Sequence, residues 1–112
     1  MKAFSIYLLT ISIAFAASPV GNRAVVEGMS GLVAFWTFGE AAGQQRVSGA
    51  TPQKHLLTET GGPIVRVEGG PFSGYAADLD GHHYFSIPFA ETGDLNISGP
   101  EAQVSMFAVV RI

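Results

Sequence analysis

The densest run of chemistry-bearing side chains in the sequence is Asp78, Asp80, His82 and His83, followed directly by Tyr84. Asp78 and Asp80 stand two residues apart, a spacing that places both carboxylates on one face of a strand. Hard oxygen ligands of this type suit calcium, which takes about six to eight of them. Asp80-Gly81 also has the composition of an ordinary turn, and that reading is the simpler one. The neighbouring histidines point to opposite faces of any strand, so they are poorly placed to share a metal ion. Tyr84, beside the polar turn, is the natural candidate for a surface aromatic that stacks on a ligand. Trp36 sits between apolar neighbours and reads as a packing residue.

Other chemistries are excluded more firmly. Glycoside cleavage needs two carboxyl groups about 5 to 9 Å apart across a sugar, and Asp80 falls at the turn with no third acid after it. There is no nucleophile elbow and no glycine-rich phosphate loop with its lysine. The chain contains no cysteine, which removes disulfides, thiolate metal sites and cysteine nucleophiles together. Asn96-Ile97-Ser98 is a glycosylation sequon, relevant where the cell supplies the machinery.

These residues must be held by a small scaffold. At 112 residues the chain has room for one domain. Six Lys and Arg against nine Asp and Glu give a net charge of -3, and no basic face replaces phosphate counterions, so nucleic acid is not an expected partner. With 47% hydrophobic and 13% charged residues, the composition is that of a folded chain rather than a disordered one.

The first segment has its own logic. Lys2 precedes an uncharged run, Ala3 to Phe15, that ends in Ala14-Phe15-Ala16. A basic start, an apolar stretch and small residues at its end are the pattern of a signal peptide, with cleavage predicted after Ala16. The run is short of the roughly 20 apolar residues that cross a bilayer, so no stable membrane span is expected. Residues 1–16 therefore predict export, to the extracellular space or the periplasm.

All 14 glycines and all six prolines lie beyond Ala16. Such punctuation disfavours long helices, because an interior Gly costs about 1 kcal/mol and a Pro about 3 relative to Ala. Residues 17–30 read as a flexible polar leader, with Ala24-Val25-Val26 as one short segment able to join an edge. Gly31 to Phe38 is the clearest strand, with Leu32, Ala34, Trp36 and Phe38 on one face and Val33, Phe35 and Thr37 on the other. Further strands are predicted at His55–Thr58, Pro63–Val67, Phe72–Leu79, Tyr84–Ile87 and Val104–Ile112. Asp80-Gly81 is expected to close a hairpin between Phe72–Leu79 and Tyr84–Ile87. Residues 39–54 and 91–100 read as loops. About six strands without helical crossovers predict an all-β antiparallel β-sandwich or jelly roll.

Four motifs in order give this pattern a family likeness. Gly31-Leu32-Val33-Ala34-Phe35-Trp36-Thr37-Phe38-Gly39-Glu40 resembles the opening strand of laminin G-like domains in the concanavalin A-like lectin and glucanase superfamily. Ala76-Ala77-Asp78-Leu79-Asp80-Gly81 is similar to a later strand end of that family, and Tyr84-Phe85-Ser86-Ile87-Pro88 to the strand after it. Leu95-Asn96-Ile97 and then Val104 to Arg111 resemble the approach to its central strand and that strand itself, with Val109 where the family usually carries Trp. The likeness covers residues 31–112. Family domains run to about twice this length, so the resemblance implies the N-terminal half of a jelly roll, an incomplete sandwich.

The resemblance implies a secreted, non-catalytic module that binds carbohydrate or an extracellular matrix protein. Tyr84, His82 and His83 are then the ligand-binding candidates. Asp78 and Asp80 are the metal candidates, because some laminin G-like domains hold calcium at the sandwich rim. Glucanase members carry their acids on one strand as Glu-x-Asp-x-x-Glu, a run that this chain lacks. Two alternatives stay open, an N-terminal accessory domain of a longer exported glycoside hydrolase and a structural or adhesion domain.

Overall fold

The computed structural model describes residues 18–112. The proposed signal peptide and its cleavage point at Ala16 lie outside the described residues. Among the described residues no helix is long and apolar enough to cross a membrane.

The described residues begin with a helix where the sequence predicts a loose leader. Helix α1 spans Pro19–Glu27, with Ser18 as its N-cap and Pro19 in the first turn. The Ser18 hydroxyl accepts the Gly21 N–H at 3.0 Å, which satisfies one of the free amides of the first turn. Proline is favoured in that turn because its missing N–H is not needed there. Asn22 and Val26, four residues apart and hence on one face, are the buried residues of α1. Asn22 donates from Nδ2 to the Pro71 carbonyl at 2.8 Å, tying the helix to the loop before Phe72.

Five short strands follow. Strands β1 (Arg46–Val47), β2 (Leu56–Thr60) and β5 (Tyr84–Ser86) form an antiparallel sheet in the order β1-β2-β5. Its register sets Arg46 opposite Leu57, Glu59 opposite Phe85, and Thr60 opposite Tyr84. Strands β3 (Arg66–Glu68) and β4 (Tyr75–Ala77) form a separate antiparallel pair, with Val67 opposite Ala76. Two single-turn 3-10 helices, Phe89–Glu91 and Gly93–Leu95, fill the region expected to be a loop. Among the described residues the fold is therefore β-rich, built of small antiparallel sheets with one short helix.

Three strand expectations are corrected. The hairpin across Asp80-Gly81 does not form, since β4 pairs with β3 and β5 crosses to β2. The link Gly69 N–H to Gly74 C=O at 2.9 Å closes β3 onto β4. Meanwhile Gly61, at φ 95°, lies so close to His82 that an added Cβ would stand 2.6 Å from its carbonyl oxygen. The close approach carries β5 alongside β2. Residues 31–38 and 104–112 make no ladder at all. Both are apolar on alternate positions, but alternation creates a strand only where a partner supplies the other half of its hydrogen bonds. Phe38, at φ 57°, turns the first of them away.

The main core is small. Val26, Phe35 and Phe72 are buried together, with Met29, Leu32 and Phe107 packed against them. The Phe35 and Phe72 rings meet edge to face at 5.0 Å, the arrangement that aligns ring edge with ring face. Ile64 is buried separately.

Candidate functional site

The turn between β4 and β5 is organised by one carboxylate. Asp80 Oδ1 accepts the His82 N–H at 2.9 Å and meets His83 Nδ1 at 2.7 Å. An Asp that accepts the amide two residues on is an Asx turn, a local structure that Asp supports because its side chain is short. These contacts, the His82 amide first and the His83 ring second, hold the Asp80 carboxyl below its usual range. Asp80 is thus an ionised acceptor, the opposite of the raised carboxyl a glycosidase uses as its acid.

The sequence-predicted residues are brought together in part. Asp78, Asp80 and His82 are exposed, His83 is half-buried over Gly61-Gly62, and Tyr84, 57% exposed, opens β5. Because β5 is an edge strand, Tyr84 stands at a rim beside the polar turn. The Asp78 N–H donates to the Val65 carbonyl at 2.9 Å, just past the end of the β3–β4 pair. Among the described residues no group of three or more His, Asp or Glu is placed to hold a metal ion. No third carboxylate or imidazole therefore joins Asp78 and Asp80 there. Trp36 is half-buried and donates from Nε1 to the His55 carbonyl at 3.0 Å.

Two buried polar contacts carry no local signal in the sequence. Arg46 is 1% exposed; its guanidinium bonds Glu59 Oε2 at 3.2 Å, the Ile64 carbonyl at 2.8 Å and the Gln44 carbonyl. It also stands 5.1 Å from the Phe85 ring centroid. Glu59 in turn accepts the Ile64 N–H at 2.7 Å and the Gly43 N–H at 3.0 Å. The Ile64 amide is the foremost reason that the Glu59 carboxyl is held below its ordinary value; burial opposes it, while Gly43 and Arg46 add to it. The second contact joins buried His55 Nε2 to Asp94 Oδ1 at 2.5 Å. With the Gln53 side chain accepting the Asp94 N–H at 3.0 Å, it pins the second 3-10 turn to the strand β2 entrance. Partners 13 and 39 residues apart cannot be matched by spacing, so these pairs emerge only from the fold. Both fix loops to strands.

A groove of about 870 Å³ lies against the core. Val26, Phe72 and Tyr75 line it, together with residues 31–38 and 103–109. None of its lining residues is charged. Comparison of the chain with family models, with curated proteins and with solved structures returned no match.

Proposed function

We propose that the chain is an exported, non-catalytic carbohydrate-binding module of laminin G-like type, with the N-terminal strands of a concanavalin A-like sandwich as its framework. The observation that carries this reading is the exposed Tyr84 ring on edge strand β5, next to a turn that Asp80 makes rigid. Sugar recognition combines an aromatic face for the C–H side of the ring with fixed polar groups for its hydroxyls. Tyr84 supplies the first. The exposed carboxylate of Asp78 and the ring of His82 supply the second, at a rim open to solvent. The depressed Asp80 carboxyl favours binding over acid catalysis. Export rests on the signal-peptide pattern of residues 1–16.

The test is a glycan array probed with the purified chain, once with calcium and once with a chelator. Binding to a defined glycan is expected, and Tyr84→Ala should weaken it by about tenfold, the worth of one stacking contact. Retention of affinity by Tyr84→Ala, or an array without a single ligand in calcium, would overturn the proposal. Loss of binding in chelator would place an ion at Asp78, with the remaining ligands from water and sugar.

A further inference from the structure

The groove asks for an occupant that is itself a strand. Seven consecutive residues, 103–109, line it, as do all eight from Gly31 to Phe38. Successive side chains of extended backbone point to opposite sides, so an unbroken run of lining residues brings the main chain to the groove wall as well. No backbone N–H of residues 32–38 or 104–112 is engaged in a hydrogen bond among the described residues. Along the second segment Val104, Met106, Val109, Val110 and Ile112 are exposed, and Phe107 reaches down to the core. Such a segment is a template for another strand.

We propose that the occupant is a second copy of this chain, whose residues 104–112 pair antiparallel with the same residues of the first, centred on Ala108. Self-pairing has to satisfy one condition above others: identical charges must not meet. In the Ala108-centred register Val104 faces Ile112, Met106 faces Val110 and Phe107 faces Val109. Arg111, the segment's one charge, faces Ser105. Every apolar residue therefore finds an apolar partner, and the cation finds a hydroxyl. The surrounding groove carries no charge either, so a chain of net charge -3 presents a face without self-repulsion. A two-fold contact of this kind is closed, and it ends at the dimer.

Because the chain has no cysteine, single introduced thiols report the register directly. In the proposed pairing the two Ala108 Cα atoms lie about 4.5 to 5.5 Å apart, within disulfide range. The two Ser105 positions lie about 20 Å apart, six residues along the strand. Light scattering on the purified chain should give twice the chain mass. Mild oxidation should then link Ala108→Cys into a covalent dimer and leave Ser105→Cys unlinked. Met106→Lys, which sets an ammonium against Val110 of the other copy, should raise the dimer dissociation constant about 100-fold, with circular dichroism unchanged. A monomeric chain at micromolar concentration overturns the proposal and assigns the groove to another occupant. Linking at both positions, or open-ended polymers, overturns it equally, because neither has a defined register. Glycan binding at Tyr84 is read separately, and its outcome leaves this test untouched.

Discussion

At the scale of single residues, the contact that decides most is Arg46 with Glu59. A guanidinium 1% exposed is tolerable because a carboxylate and two carbonyls receive it. Removing the carboxylate leaves a buried charge uncompensated, a loss of about 3 kcal/mol in comparable pairs. The sign with pH follows from the depressed Glu59 carboxyl. Its contribution is fully present above the unfolded value, near 4.5, and is lost as pH falls through the lower folded value. Glu59→Gln is therefore expected to lower Tm by about 10 °C or more near neutral pH. The gap to the parent chain should close as pH drops below 4.5, measured by thermal melts across a pH series. An equal gap at every pH would mean that the pair contributes shape rather than charge. The same residue scale shows what sequence spacing can and cannot reveal. Asp80-Gly81 announces its turn because Asx turns are local, and the structure has the turn. Arg46, Glu59, His55 and Asp94 announce nothing, because their partners are set by which strands come together.

At the scale of elements, local chemistry proved legible and pairing did not. Positions near β2, β3, β4 and β5 could be read from alternation and from the glycines between them. The short helix α1 escaped because nine residues with only Asn22 and Val26 buried make no apolar stripe. Its signal was the Ser18-Pro19 cap pair instead. The hairpin expectation failed at a choice that two glycine clusters make. Gly69-Gly70 closes β3 on β4, and Gly61-Gly62 lets His82 and His83 approach β2, so β4 and β5 part. Gly70 is the stricter of these: a Cβ built on it would stand 1.6 Å from the Tyr75 carbonyl oxygen. No side-chain rotation relieves a clash with backbone. Gly70→Ala should accordingly open the β3–β4 pair and cost about 2 to 3 kcal/mol, read as a lower denaturant midpoint. Gly74→Ala is the useful contrast, with nothing near its added Cβ but a φ of 82°; it should cost about 1 kcal/mol, through backbone strain alone. If both variants unfold at the same midpoint, the close approach at Gly70 is not what holds the pair.

At the scale of the whole molecule, the order of stability follows from where hydrogen bonds and burial coincide. Strand β2 is the centre of its sheet, bonded to β1 and β5, and its Glu59 carries the buried ion pair. Residues 31–38 and 104–112 have apolar sequence without ladders, and of residues 104–112 only Phe107 is drawn toward the core. Fully apolar alternation at 31–38 and 104–112 was read as strand because the pattern says what a segment can pair with, not whether a partner is there. The physical consequence is a split in amide exchange. β2 amides should exchange only through global opening, while those of 104–112 exchange by local fluctuation in the isolated chain. Pairing with a second copy raises protection in both, since global opening of a paired chain must also break the pair. Protection of residues 104–112 should rise with protein concentration, by the mass-action stabilisation that any bound state receives, starting from a level below that of β2. Hydrogen exchange read by mass spectrometry at two concentrations separates the cases. Concentration-independent exchange at 104–112 would leave the segment unpaired in solution, and its alternation would then reflect the groove beneath Phe107 alone.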